Sequence, residues 1–362
     1  MRVWIDILTP KQALFFEPLI DALKERGDEV VVTSRRYREA ELICRKRQID
    51  AVFIGSHGGK ELKNKLSASL ERSKLLLEYF EEDKPDALVS FSSPEAGRVA
   101  FGLGIINICV SDSPHAEAVS KLTIPLADCL LTPWIVPEKS WTVYGIERSK
   151  IESYKALDPF VWLSRKDLSE KFHLGLNIDK SKTTISLRLE ESFAAYIKND
   201  TYTAEFALIQ RLIEEFRNQN IVILCRYSEQ VDAVLKKFKG RVIVPNDIVD
   251  GVALLQQSDL FIGLGGTMTA EAALMGTPAI SFFSGSYFVE RYLVSKGLLT
   301  KPRDIDGVIR VSKNFLRDPK MKKQIKMRAG RIRAGMEDPI RVIVDRLDVL
   351  MRAKLNQELS RK

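Results

Sequence analysis

The stretch Asp259-Leu-Phe-Ile-Gly-Leu-Gly-Gly-Thr-Met-Thr-Ala-Glu-Ala-Ala-Leu-Met-Gly-Thr-Pro-Ala-Ile-Ser281 decides the predicted fold. A short apolar strand runs into glycines and then into a helix that begins near Thr267. Gly265 and Gly266 lack a Cβ, so they permit positive φ and let an anion approach the backbone. The free N–H groups of the helix N-terminus attract that anion. Glu271 follows one turn later, where its carboxylate suits the hydroxyls of a ribose. The stretch predicts a nucleoside diphosphate site.

Apolar strands alternate with helical segments on both sides of a break near the middle of the chain. This alternation is typical of parallel sheets covered by helices on both faces. The predicted fold class is α/β, with two Rossmann-like, doubly wound parallel-sheet domains facing a cleft. Strands are predicted at 3–8, 29–33, 51–54, 87–91, 105–110 and 129–132, and then at 183–187, 221–224, 241–244, 260–262 and 279–282.

A chain of 362 residues fits two domains of ordinary size. We predict an N-terminal Rossmann-like domain at 1–157 and a linker at 158–180. A second Rossmann-like, nucleotide-binding domain is predicted at 181–337, and a C-terminal helix at 338–362. Ligands of doubly wound sheets bind beyond the carboxyl ends of the strands, so the loops that follow strands carry the candidate site residues.

The composition is that of a globular protein, with 45% apolar and 29% charged residues. No signal peptide or membrane-spanning segment is apparent, and the four cysteines lack CxxC spacing. A cytoplasmic location with reduced thiols is therefore expected.

The net charge of +8 is concentrated at the C-terminal end of the chain. Residues 301–362 hold 18 basic and 8 acidic side chains, which gives 18 − 8 = +10 and leaves −2 for the rest. A solvated helical surface explains this charge, and peripheral contact with an anionic membrane is the alternative. Nucleic acid is an unlikely partner because no recognition motif accompanies the charge. The sequence does not define an oligomeric state.

Three loops of the first half hold further candidates, with Lys11, Ser92 and Glu95 as possible ligand contacts and His57 as a possible catalytic residue. Lys11, after the first strand, adds a charge at a helix N-terminus or is simply exposed. His57 lies in a glycine-rich loop that could carry it over the cleft or serve only as a connection. Ser92 and Glu95, after the fourth strand, could reach a polar ligand, although Ser93 and the following proline explain that turn as a helix start.

The loop after the fifth strand is the strongest catalytic candidate. Asp112, His115 and Glu117 lie within six residues there. A histidine transfers protons at neutral pH, and a nearby carboxylate orients it. The alternative is that Asp112 and Ser113 cap the next helix and His115 is exposed.

In the second half, four polar residues join the glycine turn as candidates for nucleotide binding. Arg188 and Ser192 suit a phosphate or sugar hydroxyls, and Arg226 could pair with a diphosphate or with a nearby glutamate. Asn246 follows a predicted strand and could read a base edge. No metal site is predicted, because the three histidines lack ligand spacing.

The segment Gly-Gly-Thr-Met-Thr-Ala-Glu-Ala-Ala-Leu-Met-Gly-Thr-Pro at 265–278 resembles the signature of GT-B proteins. Among these proteins it resembles the lipid II-forming N-acetylglucosaminyltransferase and the UDP-N-acetylglucosamine 2-epimerases. The whole chain is similar to an uncharacterised, mostly archaeal GT-B-like family. The matching pieces include Val-Trp-Ile-Asp-Ile (3–7), Gly-Ser-His-Gly-Gly (55–59), Ser-Pro-Glu-Ala-Gly-Arg (93–98) and Arg-Tyr-Ser-Glu-Gln (226–230).

The resemblance implies a UDP-linked sugar in the second domain and an acceptor on the side of the first domain, where Lys11, Ser92 and Glu95 are candidates. Gly266 and Thr267 would contact the diphosphate and Glu271 the ribose hydroxyls, and Met268 is a further candidate for nucleotide binding. The GT-B pattern also implies that the C-terminal helix at 338–362 packs back on the N-terminal domain. Members commonly carry a histidine in the first-strand loop, where this chain has Lys11 and Gln12. The chain would then use His115, His57 or a carboxylate as its base.

Three functions follow from these observations. The leading one is a metal-independent glycosyltransferase that uses a nucleotide sugar as substrate, needs no cofactor and acts on an acceptor that could be lipid-linked. The second is a UDP-N-acetylglucosamine 2-epimerase-like enzyme, with Asp112, His115 and Glu117 transferring protons. The third is a non-catalytic nucleotide-sugar-binding protein.

Overall fold

The computed structural model describes residues 1–59, 61–165, 176, 178–189, 201–225, 227–245 and 249–360. The chain divides into two compact units. Unit 1 comprises Met1–Trp162 and Glu337–Lys362, and unit 2 comprises Leu163–Met336. Each unit is built on a parallel β-sheet with connecting helices, so the α/β class predicted from the sequence is confirmed.

Unit 1 contains a seven-stranded sheet in the order β3-β2-β1-β4-β5-β6-β7, in which every neighbouring pair is parallel. The strands are β1 (Arg2–Ile7), β2 (Glu29–Arg36), β3 (Ala51–Ser56), β4 (Ala87–Ser90), β5 (Ile106–Val110), β6 (Cys129–Pro133) and β7 (Ile151–Tyr154). The sequence predicted the first six strands and missed β7, a four-residue edge strand.

The helices of unit 1 connect these strands, and the last one is the C-terminal helix. They are α1 (Pro10–Glu25), α2 (Arg38–Lys46), α3 (Leu62–Tyr79), α4 (Pro94–Leu103), α5 (Glu117–Thr123), α6 (Lys139–Thr142), α7 (Pro159–Leu163) and α15 (Pro339–Ser360). Ser93 caps α4 by accepting a hydrogen bond from the Ala96 N–H, which confirms the predicted helix start. Helix α15 packs on α1 and β5, and its Asp348 pairs with Arg26 at 2.8 Å.

The core of unit 1 includes a buried charged network beneath the sheet's carboxyl edge. Arg72 of α3, which is 1% exposed, donates to both carboxylate oxygens of Asp6 at 2.5 and 3.2 Å and to Glu95 at 3.4 Å. Asp6 also accepts from Thr33 at 2.5 Å. Burial would lower the pKa of Arg72, but the two carboxylates hold it above its ordinary value. Because its charges are compensated, this network can remain buried.

Unit 2 contains a four-stranded parallel sheet in the order β11-β10-β8-β9. The strands are β8 (Thr184–Arg188), β9 (Asn220–Leu224), β10 (Leu260–Gly263) and β11 (Ala279–Ser281). The prediction of a strand at 241–244 is wrong. Among the described residues of this segment only Ile243 pairs with the sheet, through a single bridge to Val222 of β9, which is too short to form a strand.

The described helices of unit 2 are α8 (Thr201–Glu215), α9 (Ser228–Phe238), α10 (Gly251–Gln257), α11 (Thr267–Met275), α12 (Phe288–Ser295), α13 (Ile305–Arg317) and α14 (Pro319–Ala334). Helix α11 ends at Gly276, whose φ is +81°. A Cβ on Gly276 would lie 2.6 Å from the Lys326 Cα, so the glycine also permits α14 to pack closely against α11.

Both sheets reverse their strand order at one point, and this reversal positions the candidate sites. In unit 1 the order reverses between β1 and β4, and in unit 2 between β8 and β10. At such a point the connections that follow the two neighbouring strands run in opposite directions, so a crevice is left at the carboxyl ends of these strands for a ligand. Lys11 and Ser92 lie at this position in unit 1, and Arg188 and the glycine turn lie there in unit 2.

Candidate functional site

The glycine turn of unit 2 joins β10 directly to α11. Gly265 and Gly266 have φ values of +103° and +86°, a region that side chains with a Cβ rarely adopt. Gly266 is the N-cap of α11 and provides no side chain to cap the first-turn N–H groups. The turn therefore presents a helix N-terminus without a capping side chain at the point where the strand order reverses.

The two glycines of the turn differ in their surroundings. A Cβ on Gly265 would lie 3.3 Å from the Phe283 ring, which follows β11, whereas a Cβ on Gly266 would meet no atom of the described residues within 4 Å. Phe283 also contacts the Tyr287 ring at a centroid distance of 5.2 Å. One side of the turn is thus packed against aromatic rings, and the backbone of Gly266 faces open space.

Glu271 lies close to the start of α10 as well as in α11. Its side chain is buried at 5% exposure. A Cβ on Gly251 would lie 3.4 Å from both Glu271 Oε2 and Met268 Cε, so the absence of a side chain at Gly251 makes room for the carboxylate and the thioether. Asp250 caps α10 by accepting from the Ala253 N–H at 2.8 Å. Glu271 and Met268 are therefore brought together beside the glycine turn.

Arg188, at the end of β8, completes this group. Its Nη1 lies 3.7 Å from Met268 Sδ, and its backbone carbonyl accepts from the Leu264 N–H at 3.1 Å. The structure thus groups six of the residues predicted for nucleotide binding: Gly265, Gly266, Thr267, Met268, Glu271 and Arg188. The other three, Ser192, Arg226 and Asn246, lie outside the described residues.

In unit 1, Lys11 binds two carboxylates. Its Nζ donates to Asp112 Oδ2 at 2.7 Å and lies 2.7 Å from Asp158 Oδ2, the latter outside hydrogen-bond geometry. The ammonium also lies 4.5 Å from the centroid of the Phe91 ring. Tyr154 donates to Asp158 Oδ1 at 2.6 Å. Loops after β1, β4 and β5 and the start of α7 meet here, and the alternative that Lys11 is simply exposed is excluded.

The pKa values of the two carboxyls in this cluster are shifted in opposite directions. Burial raises the pKa of Asp158 to about 7; Lys11 opposes the rise and Asp112 adds to it. Burial also acts to raise the pKa of Asp112, but Lys11 outweighs it and holds that pKa well below its ordinary value. The pKa of Lys11 lies above its ordinary value because the two carboxylates overcome the effect of burial. At neutral pH, Asp158 can therefore exchange a proton while Asp112 stays ionised.

His115 is exposed, as the alternative interpretation of this loop expected, but it lies close enough to the cluster for Asp112 and Lys11 to act on its pKa. The described contacts of Glu117 do not include the cluster. Partial burial lowers the pKa of His115, Asp112 opposes that effect and Lys11 adds to it. Glu117 is exposed and accepts from Lys121 at 2.5 Å along α5. The cap of α5 is Ala116, so the alternative in which Asp112 caps that helix is wrong.

The other predicted acceptor-side residues of unit 1 have their own local partners. Glu95 is held by Arg72 and accepts from Ser69 at 2.7 Å, which argues against a role in binding ligand. The Ser92 hydroxyl, on a backbone with φ of +50°, lies 3.4 Å from Cys109 Sγ and 3.3 Å from the Val110 carbonyl. His57 is exposed and stacks on Tyr37 at 4.9 Å. The described partners of these three residues are therefore neighbours other than Lys11.

Sequence reasoning missed Asp158 and Phe283. Asp158 was assigned to the predicted linker because Asp-Pro marks a chain break, whereas its side chain is buried in unit 1 beside Lys11. Within the described residues there is no group of three histidine, cysteine or acidic side chains arranged to hold a metal ion.

Residues 1–352 of the chain match the family described as "Protein of unknown function (DUF354)". The chain belongs to this family. It is 29% identical over 366 residues to the uncharacterized protein MJ0665 of Methanocaldococcus jannaschii, a match that covers 96% of this chain and 98% of that protein.

Solved structures with a similar fold include epimerases and glycosyltransferases. The UDP-GlcNAc 2-epimerase from Neisseria meningitidis, bound to UDP-GlcNAc, matches with a TM-score of 0.72 and 15% identity over 96% of this chain and 99% of that one. The UDP-GlcNAc 2-epimerase from M. jannaschii gives a TM-score of 0.63 at 15% identity, covering 88% and 94%. The spinosyn forosaminyltransferase SpnP gives 0.64 at 15% identity, covering 97% and 99%. The fold is therefore GT-B-like, as the sequence predicted.

Proposed function

We propose that the protein is a nucleotide-sugar enzyme, and specifically a metal-independent glycosyltransferase that uses a UDP-linked sugar as donor. The observation that carries this proposal is the glycine turn of unit 2. Gly266 presents open backbone at the N-terminus of α11, and the buried carboxylate of Glu271 lies one turn further along the same helix. A diphosphate is attracted to the helix end and a ribose diol to the carboxylate.

The same turn would assist the departure of the nucleoside diphosphate. Breaking the sugar–phosphate bond leaves extra negative charge on the β-phosphate, and fixed N–H dipoles stabilise charge that develops during a reaction. Arg188, 3.7 Å from Met268 through its Nη1, adds a positive charge beside this position. The acceptor hydroxyl would lose its proton to a carboxyl of the Lys11 cluster or to His115.

A second candidate is a 2-epimerase-like reaction, and the Lys11 cluster favours it. Epimerisation needs a group that removes a proton from carbon and a group that returns one. Asp158, whose pKa is about 7, can take up and return a proton near neutral pH, while Lys11 holds Asp112 ionised and weakly basic beside it. His115, which is close enough to Asp112 and Lys11 for their charges to act on its pKa, is the second group that could exchange a proton.

Thermal-shift measurements over nucleoside diphosphates and their sugars test the shared part of both candidates. A ligand that binds only the folded state raises the melting temperature, and we expect UDP and a UDP-sugar to do so. If no nucleoside diphosphate raises it, the proposal is wrong.

Incubation with UDP-N-acetylglucosamine alone then separates the two reactions. Release of UDP and N-acetylmannosamine without an acceptor supports the epimerase, and turnover only after an acceptor is added supports the transferase. Binding without turnover under any acceptor, unchanged in His115→Ala and His57→Ala, would indicate a non-catalytic nucleotide-sugar-binding protein.

A further inference from the structure

Helix α3 of unit 1 carries an exposed row of leucines. Its inner face packs on β3 and α4 and buries Arg72 and Leu76. Leu62, Leu66, Leu70 and Leu77 are instead 82%, 61%, 63% and 45% exposed. At 3.6 residues per turn these four side chains fall within an arc of about 80° on one side of the helix. We call this row the leucine stripe.

Charges on α3 are distributed unevenly around the leucine stripe. The exposed lysines Lys63, Lys65 and Lys74 all lie within about 100° of its centre, whereas the exposed Glu71 and Glu78 lie about 120–140° away. Lysine stems can lie along an apolar surface while their ammonium groups stay in water. Lysines therefore border the stripe, with Lys74 also reaching Glu78 at 3.7 Å, and the exposed acidic residues Glu81, Glu82 and Asp83 lie beyond its C-terminal end.

We propose that the leucine stripe and its bordering lysines bind the surface of an anionic lipid bilayer. Leucines on one face with lysines beside them are typical of helices that lie in the membrane interface. An anionic surface complements the lysines that border the leucines. None of the described helices is long and apolar enough to cross a membrane, so the contact would be peripheral. This inference does not depend on the proposed reaction, and it places the membrane contact on α3 rather than on the basic C-terminal region.

Co-sedimentation of the full chain with lipid vesicles tests the inference. With phosphatidylcholine vesicles containing about 30% phosphatidylglycerol we expect binding that weakens as salt is added, and at least about tenfold weaker binding to phosphatidylcholine alone. The double variant Leu66→Glu/Leu70→Glu should lose binding by at least about tenfold, because it removes apolar area and adds negative charge. Both positions are exposed, so the fold should tolerate the change, and an unaltered melting temperature verifies this.

Matched variants make the outcome specific. Leu122→Glu and Leu359→Glu alter leucines that are 59% and 70% exposed but lie outside the stripe, and they should bind vesicles like the unmodified chain. Lys323→Glu/Lys326→Glu alters exposed lysines of α14 in the basic C-terminal region. If that variant loses binding and the leucine variant does not, the proposal is wrong.

Two further results would also overturn the proposal. One is that the unmodified chain does not bind the anionic vesicles. The other is a concentration-dependent dimer in sedimentation that Leu66→Glu/Leu70→Glu abolishes while vesicle binding is unchanged, which would assign the stripe to a second copy of the chain.

Discussion

Replacing Lys11 with methionine removes the ammonium from the buried cluster of unit 1 and keeps an aliphatic side chain of similar length. The two contacts of 2.7 Å are each worth about 6 kcal/mol of Coulomb energy at an effective dielectric constant of about 20. Much of this is cancelled by the cost of removing three charged groups from water. Because the variant leaves Asp112 and Asp158 without their cation, we expect the free energy of unfolding to fall by about 3–5 kcal/mol.

The loss should depend on pH, and the sign follows from Asp158. Its pKa in the folded protein is raised from 3.8 to about 7, and Lys11 limits that rise. A carboxyl with a raised folded pKa loses stability as pH increases from the unfolded value through the folded one. Lys11→Met raises the folded pKa further and extends this loss to higher pH. The destabilisation should therefore be larger at pH 8 than at pH 5.

Urea unfolding followed by tryptophan fluorescence measures this effect for unit 1 alone. All four tryptophans, Trp4, Trp134, Trp141 and Trp162, belong to that unit. Lys24→Met, which alters an exposed lysine of α1, is the matched control and should change stability by less than about 0.5 kcal/mol. A loss for Lys11→Met as small as that of the control, or one that is equal at pH 5 and pH 8, would refute the electrostatic account of the cluster.

Three further variants test other parts of the structure. Gly276→Ala should destabilise unit 2 by more than about 2 kcal/mol in calorimetry, since its φ is +81° and the new Cβ would lie 2.6 Å from the Lys326 Cα. The control Gly240→Ala has a similar φ of +75° but open space around the new Cβ, so it should lower stability by only about 1 kcal/mol. Equal losses of stability in the two variants would contradict the packing argument. Gly266→Ala should weaken UDP binding at least about tenfold in calorimetric titration, because the new Cβ enters the open space before α11 that the diphosphate would occupy. An unchanged Kd would show that this glycine is not part of the site. Because the pKa of Asp158 is about 7, Asp158→Asn should remove the change in kcat that occurs near pH 7 and leave the Kd for UDP unchanged. If kcat of the variant still changes near pH 7, that change belongs to another group.

The sequence predicted the glycine turn because its signals are local. Glycines between an apolar strand and a helix specify a tight connection with positive φ, and Gly265 and Gly266 have it. The alternation of strands and helices likewise predicted both parallel sheets. Strand order could not be read from the alternation, yet this order brings Arg188 beside Met268 across two neighbouring strands.

The sequence could not predict the Lys11 cluster, because its members meet only in the folded sheet. Lys11 and Asp112 were each candidates, but they are 101 positions apart and nothing local connects them. Asp158 was assigned to a linker because the proline after it resembles a domain break. Strand β7 was missed because Glu152 and Ser153 interrupt its apolar character at the edge of the sheet. At 241–244 the apolar residues suggested a strand that tertiary pairing does not complete.

The most direct test of the nucleoside diphosphate site is a calorimetric titration of UDP and of 2′,3′-dideoxy-UDP into the unmodified protein and into Glu271→Gln. If the Glu271 carboxylate accepts hydrogen bonds from the ribose hydroxyls, the unmodified protein should bind UDP at least about tenfold more tightly than the dideoxy analogue. Glu271→Gln should remove most of that difference by weakening UDP and leaving the analogue unchanged. Failure of the unmodified protein to bind UDP, or an equal preference for UDP in both proteins, would contradict the account.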